Sequence, residues 1–211
     1  MFEFNAAELV GYIASILVVV SLAMTSIVRL RIISLVGSEA FFTYGALIGS
    51  LPIMATNLAI AAIHVWRLRA EFATDSPNGI DLGASRIRPD SPFLHDFIEY
   101  HIDDIHRFQP EFDTPSGDDA MAFLLLRDGL PAGLVMGRSP DGRLTIDLDY
   151  VLSAYRDSRL GRWLYGPGAD VFRDAGIEVL RSAGDTEEHR HYLSRMGFTP
   201  ADDSSFYELA L

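Results

Sequence analysis

Asp149-Tyr150-Val151-Leu152-Ser153-Ala154-Tyr155-Arg156-Asp157-Ser158-Arg159-Leu160-Gly161-Arg162-Trp163-Leu164 joins a strand, a loop and a helix start in one short stretch. It ends the run Thr145–Leu152, where polar and apolar side chains alternate with the period of two of a half-buried strand. Upstream, Asp141-Gly142 turns this strand back from Ala132–Arg138, and Asp128-Gly129 turns that one back from Ala122–Arg127. Asp-Gly between apolar runs is a strong hairpin signal. Arg86-Ile87-Arg88-Pro89 reads as a short strand and residues 92–108 as a helix, with Phe93, Phe97, Ile98 and Ile105 as its core side chains. Downstream, helices over 160–175 and 187–196 flank a strand at 177–182, and a last strand lies near 205–210. Hairpins followed by alternating strands and helices predict an α+β domain with a mixed sheet over residues 86–211.

The rest of the chain has another character. Of the 211 residues, 49% are apolar although the formal charge is −12. Residues 1–70 carry three acids (Glu3, Glu8, Glu39) and four arginines (Arg29, Arg31, Arg67, Arg69), whereas residues 71–211 carry 26 acids and 13 arginines. The sequence thus predicts a nearly uncharged module over 1–70, a linker over 71–85 and an acidic domain over 86–211. Residues 9–28 form an uncharged 20-residue stretch, enough to cross a hydrocarbon core about 30 Å thick. A second stretch, Ile32–Ser50, holds one acid, Glu39, and a third runs from Pro52 to Trp66. The expectation is a transmembrane module of three α-helices in a bacterial-type inner membrane. The arginines sit after the first and third stretches, which by the positive-inside rule puts the amino terminus outside and residues 70–211 in the cytoplasm.

Composition excludes several chemistries. With no cysteine there is no disulfide, thiolate metal site or cysteine nucleophile, and every basic residue is arginine, which removes Schiff-base and P-loop lysines. An acidic domain argues against a phosphate-backbone partner, so no nucleic acid is expected. His95, His101 and His106 lack metal-ligand spacing, and no metal is expected.

Within the apolar module, Glu39 and Asn57 are expensive to place in lipid. They suit either a polar cavity or interhelical hydrogen bonding, the second also open to Ser21, Ser38, Thr43 and Thr56. Phe41-Phe42-Thr43-Tyr44-Gly45, Pro52 and Asn57 resemble the second and third helices of SemiSWEET (PQ-loop) proteins. The module as a whole, about a third of the chain, resembles the YgjV-type inner-membrane family more closely. The SemiSWEET resemblance implies a solute site lined by Phe41 and Asn57. Transport would then require at least a homodimer through the transmembrane helices. Met24-Thr25 stand where those transporters have Pro-Gln, and Phe41 replaces their usual tryptophan.

The stretch 149–164, Ala175-Gly176-Ile177 and the run His189-Arg190-His191-Tyr192-Leu193-Ser194-Arg195-Met196-Gly197-Phe198 resemble the GNAT N-acetyltransferases over residues 86–211. The resemblance implies acetyl-CoA as co-substrate and a small-molecule or protein amine as acceptor. Arg156, Arg159, Leu160, Gly161 and Arg162 fall on the family's pyrophosphate loop and helix start. Val151 and Leu152 fall where the backbone holds the pantetheine arm. Arg159 occupies the position of the loop's first glycine. The family's frequent acid, a tyrosine in the last helix, maps to Leu193, leaving Tyr192 one residue early and about 100° around the helix as the candidate acid. Asp149, paired with Asp147 on the polar face of its strand, is the candidate base. Three functions compete: a membrane-anchored N-acyltransferase, a SemiSWEET-like carrier with a regulatory domain, and a tethered, non-catalytic CoA-binding module.

Overall fold

A break in the first apolar run sets the path of the amino-terminal unit. The computed structural model describes residues 6–72, 81–110, 112–156, 159–203 and 205–211. Helix α1 spans Ala6–Leu22, and α2 spans Ile27–Leu47. The turn falls four residues or more before the predicted one because Ser26, in extended conformation, caps α2 by accepting the Arg29 N–H at 3.4 Å. Arg29 and Arg31 therefore belong to the start of α2 and not to a link. At the other end of α2, Gly49 adopts φ +70°, the Ser50 N–H reaches the Gly45 carbonyl at 2.8 Å and the Gly49 N–H reaches Ala46 at 3.2 Å. This double closure is a Schellman motif, which needs a residue comfortable at positive φ. Helix α3 follows over Leu51–Phe72.

Small residues let these helices approach. A Cβ on Gly11 would lie 3.2 Å from the Tyr44 ring, and one on Gly45 would lie 3.1 Å from the Met54 backbone nitrogen. Arg31 ties α2 to α3, donating to the Arg67 carbonyl and pairing with Glu71, both at 3.3 Å; the Glu71 side chain is buried. Of the described helices, only α3 is both long and apolar enough to cross a membrane. Helix α1 has 17 described residues, about 26 Å of rise against about 30 Å of hydrocarbon. Arg29, Arg31 and Glu39 dilute the apolar run of α2. The expected three helices are present, but among the described residues one of them, α3, meets both the length and the apolarity of a span.

Clustering of the backbone divides the chain into two compact units, residues 1–80 with Ser153–Arg159, and Asp81–Leu152 with Leu160–Leu211. The second unit contains β1 (Leu82–Ile87), α4 (Pro92–His106), β2 (Ala120–Arg127), β3 (Leu130–Arg138) and β4 (Arg143–Val151). It continues through α5 (Leu160–Leu164), α6 (Asp170–Arg173), β5 (Val179–Ala183), α7 (Glu187–Arg195), β6 (Thr199–Pro200) and β7 (Phe206–Ala210). Strand β1 starts inside the expected linker, and α3 runs past the expected module boundary. The expected helix 160–175 is two short helices, because Gly166-Pro167-Gly168 interrupts it.

The sheet order is β1-β2-β3-β4-β5-β7-β6, with β4 and β5 parallel and every other pair antiparallel. This is the α+β domain with a mixed sheet that the hairpins and the alternating strands and helices predict. The β2–β3 turn is Asp128-Gly129 with φ 51° and 75°, the positive-φ pair of a type I′ hairpin. Leu94, Ile98 and Ile105 of α4 pack on Ala122, Leu134, Met136, Leu148 and Tyr150. On the other face Phe123 meets Phe172 edge-on at 4.8 Å, and Tyr165 meets Phe198 at 5.2 Å. Residues 132–137 of β3 are buried throughout because helices cover both faces. Phe93, expected in the core, is 45% exposed; the buried stripe of α4 instead runs through Leu94, Ile98 and Ile105.

Two glycines separate conformational from steric need. A Cβ on Gly133 would lie 2.5 Å from the Tyr150 carbonyl oxygen, so Gly133→Ala should cost about 1–3 kcal/mol through overpacking. Gly129→Asn, at a turn with open space and a φ that asparagine tolerates, should stay within about 0.5 kcal/mol. Denaturant midpoints of the two variants at unchanged slope check both.

Candidate active site

Strand β4 outruns its parallel partner. Its pairing with β5 covers Arg143–Ile146 against Val179–Ser182, whereas its pairing with β3 continues to Val151. The two central strands therefore part after Ile146. The Leu152 N–H donates to the Ala132 carbonyl at 2.9 Å. By the alternation of an antiparallel ladder, the main-chain groups of Asp149 and Val151 then turn away from β3, toward the side β5 leaves. Leu152 faces the other way with its N–H in the ladder, and its side chain packs against the α4 core.

The side chain of Asp149 organises this end of the sheet. Its Oδ2 accepts two phenol hydroxyls, from Tyr165 and from Tyr192, each at 2.8 Å. Tyr165 lies just beyond α5, where its ring is buried between Phe172 and Phe198. Tyr192 is on α7, a helix begun by Thr186, whose hydroxyl accepts the His189 N–H at 3.1 Å. Leu193, where the sequence resemblance placed the acid, is buried in the core. The neighbouring Tyr192 is the residue that reaches Asp149. The two catalytic candidates are thus in direct hydrogen bond. Tyr165 was not foreseen; the Gly166-Pro167-Gly168 breaker directly after it is the one sequence signal that the chain turns there.

Burial pushes the Asp149 carboxyl above the ordinary carboxylate range, opposed by the hydrogen bonds from Tyr165 and Tyr192 and by His189. Burial, then the charge of Asp149, pushes both phenols well above their ordinary value. Both tyrosines are therefore neutral hydrogen-bond donors at neutral pH.

The other candidates are dispersed. Asp147 is the bulged residue opposite Met136–Gly137 and is held by Arg138 in a bidentate pair of 3.0 and 3.1 Å. Gly161 lies in the first turn of α5, where an added Cβ would stand 3.0 Å from the Tyr192 hydroxyl. Leu160 is buried and Arg162 exposed. Arg156 and Arg159 fall in Ser153–Arg159, which clusters with the first unit; there Arg159 donates to the Phe72 carbonyl at the end of α3. Asp157 and Ser158 lie outside the described residues. In the first unit Glu39 is exposed on α2, Phe41 meets Tyr44 edge-on at 6.5 Å, and Asn57 donates to the Ile53 carbonyl of its own helix at 2.9 Å. Ser21, Ser38 and Thr43 likewise bond to carbonyls of their own helices. Among the described residues no group of three His, Cys, Asp or Glu side chains could hold a metal ion.

The raised pKa of Asp149 has a stability consequence. A carboxyl whose folded pKa exceeds its unfolded one favours the fold while protonated, below the unfolded value near 3.8, and loses that contribution as pH rises through the folded value. Asp149→Asn keeps an acceptor for the tyrosines without the buried charge. The variant should have a higher denaturant midpoint than the parent at pH 7, with the gain vanishing as pH falls below about 4.

No protein-family model matches the chain. Similar solved structures include a Klebsiella pneumoniae protein assigned as an acyl-CoA N-acyltransferase (17% identical, covering 62% of this chain and 97% of its own, TM-score 0.45). Another is the Bacillus subtilis acetyltransferase in complex with CoA (8% identical, 62% and 99% covered, TM-score 0.39). A third is a Salmonella typhimurium acetyl transferase that modifies the N-terminal serine of ribosomal protein L7/L12 (12% identical, 63% and 95% covered, TM-score 0.42). An uncharacterized protein of Haemophilus influenzae is 33% identical over 72 residues, which are 33% of this chain and 94% of that protein. Over those 72 residues this chain belongs to the same family as the Haemophilus influenzae protein.

Proposed function

We propose that the second unit is an acyl-CoA-dependent N-acyltransferase acting at the cytoplasmic face of a bacterial-type inner membrane, to which the three-helix unit anchors it. The observation that carries the reading is the parting of β4 from β5 beside a buried carboxylate and a phenol. Where two strands part, an extended ligand can add to the sheet as if it were a further strand, and the amide-bearing arm of acetyl-CoA has that form. The assignment of the Val151 main chain to that arm comes from the sequence resemblance. Gly161, which the resemblance gives to the pyrophosphate loop, lies beside the Tyr192 hydroxyl, 3.0 Å from where an added Cβ would stand. Asp149 is the base toward a small-molecule or protein amine, and Tyr192 the acid toward the departing thiolate. The pyrophosphate role of Arg156 and Arg159 rests on the sequence resemblance alone.

Two features support the membrane reading. Apolar side chains of α1 and α3 point outward in number: Tyr12, Ile16, Val19, Leu22, Leu58 and Ile63 are each at least half exposed, more apolar surface than water-facing helices usually carry. The arginines at the start of α2 and the end of α3 favour an orientation with the amino terminus outside.

Two measurements test the proposal on the full chain. Calorimetric titration of acetyl-CoA should give micromolar binding that Gly161→Trp weakens at least about tenfold. Thiol release should follow addition of spermidine, tyramine or a peptide with a free amino terminus. A folded chain that ignores CoA would instead be a tethered, non-catalytic module. The natural chain has no cysteine, so single cysteines report topology directly. Asn5→Cys should react with an impermeant maleimide on intact cells, and Ser76→Cys only after lysis; the reverse pattern would refute the orientation.

A further inference from the structure

The N-acyltransferase reading assigns Asp149 and Tyr192 but leaves Tyr165 without a role. The geometry points to a three-residue unit in which Tyr165 is a positioning residue: it pins Asp149 through Oδ2, leaves Oδ1 to take the acceptor's proton, and so links that proton to the release of the Tyr192 hydroxyl. This inference rests on the acyltransferase reading and deepens it.

The argument begins with the two oxygens of Asp149. Oδ2 holds both phenol hydroxyls at 2.8 Å. Oδ1 makes no hydrogen bond among the described residues, yet it is not a sealed, unpartnered atom. One side of the carboxylate is therefore saturated and the other open. A second constraint concerns Tyr192. A phenol has one proton, and here it is committed to Asp149. While Asp149 is charged, Tyr192 cannot present that proton to a thiolate. Hydrogen bonds to a charged acceptor are about twice as strong as those to a neutral one. Protonation of Asp149 thus weakens the hold on Tyr192 at the moment a proton is needed elsewhere. Tyr165, with its ring clamped between Phe172 and Phe198, keeps the carboxyl in place when Tyr192 lets go.

The step balances. The neutral amine nitrogen bonds to the thioester carbonyl carbon and gives one proton to Oδ1 of Asp149. The carbon–sulfur bond breaks, its electron pair stays on sulfur, and Tyr192 protonates the thiolate. The Asp149 proton returns to the tyrosinate, downhill because a phenol holds a proton more tightly than a carboxyl. The products are an amide and CoA with its thiol. The titratable groups facing Asp149 are Tyr165, from the segment after α5, and Tyr192 and His189 of α7; Arg195 stands near Tyr192. Facing strand β3 contributes Val135, which does not titrate.

The test follows kcat/KM of the full chain against pH, using acetyl-CoA and the best acceptor of the three-amine panel, with CoA affinity measured in parallel. Tyr165→Phe keeps the ring and its aromatic contacts but removes a donor that favours the charged carboxylate. Its acid limb should move to higher pH, while plateau kcat falls less than about tenfold and CoA affinity stays within about threefold. Tyr192→Phe should lower plateau kcat by about 10²–10³ as well as moving the limb. Asp149→Asn should lose the acid limb altogether. An unmoved limb in Tyr165→Phe overturns the coupled unit while leaving the acyltransferase reading intact; a retained limb in Asp149→Asn overturns the unit and the assignment of Asp149 as base, leaving CoA-dependent acyl transfer itself standing. A parent chain that neither binds CoA nor releases thiol overturns both. If Tyr165→Phe fails to fold, the Asp149→Asn profile still decides.

Discussion

A carboxylate that shares one oxygen between two phenols is the constraint around which the end of the sheet is arranged. An ionised carboxylate away from water costs several kcal/mol unless hydrogen bonds satisfy it. Hydrogen bonds to charged groups return about 1.5–3 kcal/mol each. Asp149 obtains them from two different segments, the one after α5 and α7. Three separate parts of the chain therefore have to be in place together. Tyr165 is held by Phe172 and Phe198, and Leu193 seats α7 in the core. The apolar packing positions the polar cluster, and the polar cluster in turn prevents the strand end from sealing shut with apolar side chains.

The strand geometry parts the sheet beside the cluster. Pairing that stops at Ile146 and Ser182 leaves the main chain of Asp149 and Val151 facing outward from β3. The bulge at Asp147 occurs next to this point, and Arg138 takes up its carboxylate. Two acids that alternate on one strand thus have different partners: one is neutralised by a guanidinium and the other is poised between phenols.

The amino-terminal unit solves its polar problem locally. Ser21, Ser38, Thr43 and Asn57 each return a hydrogen bond to a carbonyl of the same helix. Such bonds satisfy polar groups without a partner helix. Arg31 makes polar contacts across helices, to the Arg67 carbonyl and the buried Glu71, joining the start of α2 to the end of α3. Glycines 11 and 45 permit the close approach that the rest of the packing requires.

Local chemistry was legible in the sequence. Asp-Gly turns, alternation along β2, β3 and β4, and the charge contrast between residues 1–70 and 71–211 are properties of neighbouring residues, and they led to an α+β domain behind three apolar helices. Asp149 and Tyr192 were legible as residue types in suitable places. Their contact was not, because the stretch between them, a sequence separation of 43, carries no periodicity that specifies which side chain meets which. The helix break at Ser26 was missed because apolar content outweighed a single capping hydroxyl. Tyr165 was invisible for a related reason: its ring belongs to the apolar pattern and only its hydroxyl to the site. Which oxygen of a carboxylate is occupied, and where two strands part, depend on distances between segments, and those exist only in the folded chain.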